Sequence, residues 1–465
     1  MLKTIKKQDV NMLSGSIVKG ILTIAIPIMI MNVVQSLFNV VDMTVLKTFG
    51  TDELAVGSVG ACGTLISLIT GLLIGLSSGS NVVIAKHIGR GDNEGVERAI
   101  GTAILVSVIG GVLVSIIGIA GARLFLGWMN CPENLIERSV TYFRIYFAGV
   151  PILMVYNFVA SILRSSGDSR RPMIFLTAGG VLKVILNYVF VAHCGMSVEG
   201  VGIASICSWS LSLVLGFTAL VRNQGVVHFN PKKLRFYRAE LLEILYIGIP
   251  AGLQQALYSI ANVIITATVN SFGDLATTGI SIANNFDGIL YQIAIAPSLA
   301  VMPYVSQNVG AGNIKRARAA VVRGIMVTVI LAGSLGALSA IFSDQLSSIM
   351  SSNPEVIAYS RQKMIIISST YFICGINEIM GAAMRGLQMP IIPTIGTLVF
   401  MCLFRFVWVF LIFPLCPNLT FLYLVWPIGW IAAILFNLAF YIPTVIRVRK
   451  KLEAERAAES ARIEA

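Results

Sequence analysis

Apolar stretches fill this chain almost from end to end, broken by short polar segments, and twelve of them can cross about 30 Å of hydrocarbon. They fall at 19–48, 54–85, 99–126, 139–164, 173–193, 200–221, 241–271, 276–308, 320–345, 357–385, 391–414 and 420–446. The pattern predicts an all-α membrane protein of twelve transmembrane helices. The first run is too long for a signal-peptide core and lacks a small-residue cleavage site, so it reads as the first span.

The polar segments set the orientation. Lys3, Lys6, Lys7 and Lys19 precede span 1, Lys86, Arg90 and Arg98 follow span 2, and Arg164, Arg170 and Arg171 follow span 4. Arg222, Lys232, Lys233, Arg235 and Arg238 follow span 6, Lys315, Arg316, Arg318 and Arg323 follow span 8, and Arg447, Arg449, Lys450 and Lys451 follow span 12. The alternate connections hold little basic charge beyond Arg138 and carry Asp52, Glu53, Glu133, Glu199, Asp274 and Glu355. Lys and Arg gather on the cytoplasmic side, so both termini are expected there.

The two halves repeat. IAIPIMIMNVVQSLFN (24–39) parallels IGIPAGLQQALYSIAN (247–262), GRGDNEGVERA parallels GAGNIKRARAA, and Arg164 and Pro172 parallel Arg385 and Pro390. Six spans per repeat give both halves the same membrane orientation, with a site expected in a cavity between lobes that rock in alternating access. The expected division is an N-terminal lobe at 1–221, a cytoplasmic linker at 222–240, a C-terminal lobe at 241–447 and a charged tail at 448–465.

Composition narrows the function. The residues are 56% hydrophobic and 12% charged, about half the charged share of a soluble domain. The net charge of +12 does not mark a nucleic-acid surface, because the basic residues lie in short segments between apolar runs without interleaved aromatics. Seven cysteines without a CxxC pair and three scattered histidines suggest no metal site. HExxH and Walker A sequences are absent, which speaks against an embedded enzyme and against ATP as the direct driver.

The candidate chemistry starts at PIMIMNVVQSLFNVVD (27–42). Asn32, Gln35, Asn39 and Asp42 are spaced 3, 4 and 3 residues apart, a polar stripe on one helix face. A carboxylate at membrane depth costs roughly 2.5–3.5 kcal/mol on insertion scales. The stripe is either a structural contact between helices or an ion or proton site. The repeat breaks here, since Asp42 aligns with Ile265 and Asn187 with Arg405. Lys183 and Asn187 share a face of span 5, near the depth of Asp42, so a Lys183–Asp42 pair supported by Asn39 and Asn187 is expected. It reads either as a counter-ion that a proton or Na⁺ displaces or as a static bridge. In the C-terminal lobe, Asn284 and Asp287 on span 8 and Asn377 and Glu378 on span 10 are candidates for substrate binding, with Gln35, Tyr258 and Arg405. Alternatively, Asp287 or Glu378 pairs with Arg405 or another helix for packing.

In these residues, with FGTDELAVGSVG, RSSGDSRRP and FRFVWVF, the chain resembles the multidrug and toxic compound extrusion (MATE) family over nearly its whole length. The resemblance implies a secondary antiporter in a bacterial inner or plasma membrane. It would expel amphipathic or cationic small molecules against H⁺ or Na⁺, with no other cofactor. Asp42 matches the helix-1 acid that one branch uses as its cation site. That branch commonly adds Asn and, four residues later, Asp on helix 5, where this chain has Lys183 and Asn187. The span-7 acid of another branch is replaced by Tyr258. A flippase for a lipid-linked or polyanionic precursor is the alternative, favoured by Lys183 and Arg405 and opposed by Asp42. One chain holds both lobes, so a functional monomer is expected.

Overall fold

The computed structural model describes residues 10–50, 54–129 and 131–464, with the side chains of Asn39 and of residues 455–464 outside that description. Lys3, Lys6, Lys7, Asp52 and Glu53 also lie outside it, so their part in the orientation argument rests on sequence. Among the described residues, twelve helices are long and apolar enough to cross a membrane. They are α1 (Ile17–Phe49), α2 (Ala55–Arg90), α3 (Asn93–Trp128), α4 (Glu133–Ser165), α5 (Arg170–His193) and α6 (Val198–Val221). The remainder are α7 (Arg238–Asn270), α8 (Asp274–Gly310), α9 (Ile314–Ile341), α10 (Pro354–Gly386), α11 (Ile391–Leu415) and α12 (Leu419–Ala454).

Several helices outrun their apolar cores because polar residues cap them. Asp92 accepts from the Gly95 amide at 2.8 Å to start α3, and Asn313 accepts from the Arg316 amide at 3.1 Å to start α9. These are repeat mates, and each follows a glycine in the left-handed region, Gly91 at φ 70° and Gly312 at φ 71°. The third matched segment departs from this economy. Gly167 has φ 91°, but its mate is Gln388, at φ 62°.

The chain divides into two compact units. The first contains Pro27–Ile84 and Asp92–Gly252. In it, α4 packs against α3 and α6, and α5 lies on α6. A Cβ on Gly75 would stand 2.3 Å from the Gly252 nitrogen, and one on Gly79 would stand 2.2 Å from the Ile244 oxygen. The α2 glycine stripe is therefore a close-packing seam. The 222–240 segment is tied to α3: Arg98 donates to Glu240, Lys233 to Glu94 and Asn230 to Glu97, each at 2.8 Å.

The second unit contains Val10–Ile26, Ala85–Gly91 and the chain from Leu253 onward. Here α10 is central, packed on α8, α9 and α12. Gly89 lies against the Gln307 carbonyl and Gly310 against the Lys86 carbonyl, a reciprocal close approach that a Cβ on either glycine would block. Four spans depart from regular α-geometry or extend beyond their apolar run. α5 ends in a π-turn at Val189–His193, and α11 contains π-turns at Leu398–Leu403 and Trp408–Ile412. α10 tightens to a 3₁₀ turn at Ser368–Thr370, and the last helix continues to Glu464.

Candidate functional sites in the two units

In the first unit, Asp42 is buried and both carboxylate oxygens are engaged. Lys183 Nζ lies 2.5 Å from Oδ2, and Asn187 Nδ2 donates to Oδ1 at 2.6 Å. The two α5 side chains stand one turn apart on one face, so a single helix supplies both partners. Adjacent glycines bring it close. A Cβ on Gly180 would meet the Phe38 ring of α1 at 1.7 Å, and one on Gly179 would meet Ser208 and Ser212 of α6. Asn187 is wholly buried, and its Oδ1 has no hydrogen-bond partner among the described residues. The expected Asp42–Lys183–Asn187 cluster is therefore assembled. The expected contribution of Asn39 falls outside the described side chains, and Gln35 is exposed on α1.

In the second unit, a cavity of about 460 Å³ is lined by residues of α7, α8, α10, α11 and α12. Tyr258, Asn284, Asp287 and Arg405 are among its walls; Asn377 and Glu378 are not. The last two are buried behind Tyr258, whose hydroxyl donates to Glu378 Oε1 at 3.2 Å and accepts from Asn377 Nδ2 at 3.3 Å. Arg385, one side of the third repeat match, donates to Gln254 at 2.9 Å.

The pairing of Asp287 or Glu378 with Arg405 is not what forms. Asp287 instead lies 2.9 Å from Lys363 Nζ and accepts from Ser368 Oγ at 3.1 Å. Lys363, which also donates to Asn284, lies near the N-terminal end of α10, where a lysine reads as a membrane-flanking charge. It is instead 4% exposed and part of the cavity wall. Its signal was a lysine inside the apolar run, about two and a half turns past Pro354. Arg405 donates from Nη1 to Asn262 Oδ1 at 2.6 Å, with its guanidinium carbon 5.3 Å from the Trp426 ring centroid. No carboxylate pairs with it among the described residues. Of the two packing alternatives, Asp287 takes the one with another helix, through Lys363, while the repeat supplies Arg405 with an α7 amide: Asn262 is the mate of Asn39. Among the described residues, no group of His, Cys, Asp and Glu could hold a metal ion.

The model of the family MatE matches the chain twice, at residues 27–189 and 250–411, once per repeat. The chain belongs to the MatE family. It is similar to the probable multidrug resistance protein YpnP of Bacillus subtilis, 26% identical over 80% of this chain and 83% of that protein. It is also similar to an FAD transporter of Shewanella oneidensis, 23% identical over 82% of this chain and 84% of that protein. Among solved structures, it is similar to a MOP superfamily transporter from Pyrococcus furiosus, described as having a binding pocket of reverse polarity. The TM-score is 0.81 at 22% identity, covering 96% of this chain and 98% of the other. This MATE chain is thus an all-α, multi-pass membrane transporter and not an enzyme.

Proposed function

We propose that this MATE protein is a secondary active efflux antiporter that exports amphipathic small molecules in exchange for H⁺ or Na⁺ by alternating access. Asp42, Lys183 and Asn187 form the coupling site. The observation that carries this reading is a buried acid whose two oxygens are held by one ammonium and one amide. A buried pair of this kind is weak support for stability, because desolvation offsets much of its Coulomb gain. It is well suited to exchange. A proton on Asp42, or Na⁺ at its oxygens, replaces the Lys183 charge and frees the ammonium, with the open Asn187 oxygen as a further acceptor. The lobe boundaries at 1–221 and 241–447 are proposed as the moving repeats. The basic connections support cytoplasmic termini in a bacterial cell membrane, and two complete repeats in one chain support function as a monomer.

The cavity of the second unit favours a second reading for the cargo. Its Lys363 and Asp287 charges offset each other, leaving Arg405 in excess, which suits an anionic cargo better than an organic cation. The lipid-linked precursor reading shares that chemistry. The coupling role is tested with Lys183→Ala in proteoliposomes. The expected result is a changed pH dependence of transport; an unchanged profile makes the bridge static.

A further inference from the structure

Arg405 is 2% exposed yet lines a cavity, an arrangement that demands partners. A guanidinium carries five N–H donors in a planar fork. Among the described residues, Arg405 spends one on the Asn262 amide oxygen, an uncharged acceptor. Its face lies over Trp426, which leaves the in-plane edge for a carboxylate or phosphate. A second wall residue makes the same demand independently. Tyr423 is wholly buried, and its hydroxyl has no hydrogen-bond partner among the described residues.

The rest of the wall selects the shape of the ligand. Tyr258, Tyr371, Trp426 and Trp430 line the cavity, giving a planar ring several faces and edges to pack against. At about 460 Å³, the cavity falls in the range of sites for drug-sized molecules. With Asp287 already neutralised by Lys363, an organic cation would enter beside an uncompensated guanidinium, whereas an anion would restore neutrality.

We infer that this cavity binds a planar aromatic anion, its carboxylate or phosphate on Arg405 and its ring among the cavity aromatics. The inference rests on the transport reading for the cavity's purpose, but binding can be measured without any gradient. The full chain, purified in detergent, is titrated with FMN, with riboflavin (the same ring without the phosphate) and with ethidium as the cation. FMN is expected to bind at least tenfold more tightly than riboflavin or ethidium. Arg405→Gln should weaken FMN at least tenfold and riboflavin less than twofold. Tyr423→Phe removes only the hydroxyl and should weaken FMN a few-fold; it carries the test if Arg405→Gln fails to fold. Equal affinity for FMN and riboflavin, tighter binding of ethidium, no FMN binding by folded protein, or FMN affinity untouched by both substitutions would each overturn the inference. FMN binding without gradient-driven uptake would count against the antiporter reading instead.

Discussion

The two units solve the same helix pairing with opposite electrostatics. In the first, α5 reaches α1 through Asn187, and the receiving group is the Asp42 carboxylate, with Lys183 completing the charge balance. In the second, α11 reaches α7 through Arg405, the mate of Asn187, and the receiving group is the Asn262 amide, about one turn before Ile265, the mate of Asp42. Both reaching residues precede a π-turn, at Val189–His193 and Trp408–Ile412. Such one-turn insertions are frequent at functional sites. The first arrangement is closed and neutral, whereas the second keeps a cation whose charge is matched only by a neighbouring amide and an aromatic face. An element that must alternate between occupants needs the former, and one that must hold cargo of defined charge needs the latter.

The most disruptive way to break this comparison is Asp42→Asn, which strands Lys183. Loss of one member of a buried pair costs about 3–5 kcal/mol, so thermal unfolding in detergent should shift strongly downward. Asp42→Asn/Lys183→Met should recover much of that stability without recovering coupled transport. Stability that falls equally in both variants would mean that the cluster is held by something other than its charges.

Next in size is Gly180→Leu, which places a side chain where Phe38 lies. Overpacking of this kind costs about 1–3 kcal/mol. The variant should separate α1 from α5 and impair coupling, and Phe38→Ala in the same chain should restore part of both. The comparison predicts no coupling defect from an equivalent change at Gly429, which lies against Phe400 and Phe404 in the other unit.

Smaller effects sharpen the repeat itself. Gln388 holds a left-handed backbone where its mate is Gly167, so Gln388→Gly should raise stability by up to about 1 kcal/mol, read as a higher melting temperature. Ser368→Ala removes one interhelical hydrogen bond to Asp287. Such bonds average about 0.6 kcal/mol in membrane proteins, so the melting temperature should fall only slightly while Lys363 keeps Asp287 paired.

The span pattern was legible in sequence from apolar run lengths, and the Asp42 cluster from the family resemblance, which pointed to Lys183 and Asn187, together with helical spacing. Residues 3 or 4 apart share a face, and depth follows from counting residues, so Asp42, Lys183 and Asn187 could be placed at one level once the resemblance had pointed to helices 1 and 5. Lys363 was not legible, because a lysine a few residues inside an apolar run looks like a flanking charge until its neighbours are known. The partner of Arg405 was left open in sequence, because pairing charges by sign offers a carboxylate, whereas packing of α11 on α7 presents Asn262. The π-turns leave no mark in an apolar segment, since one inserted residue shifts the face without changing the composition. Asn377 and Glu378 were candidates for substrate binding on span 10, and both are buried outside the cavity wall. Spacing alone did not show that Tyr258 stands between Glu378 and the cavity.

The most direct measurement of the division of labour is uptake of a fluorescent probe into inside-out vesicles under a pH gradient or a Na⁺ gradient, imposed separately. FMN and ethidium would be the anionic and cationic probes. The account predicts that one gradient drives the wild type and neither drives folded Asp42→Asn. Arg405→Gln should respond to the same gradient as the wild type but need more FMN to reach half-maximal rate. Asp42→Asn transporting like the wild type under the active gradient would contradict the account at its centre.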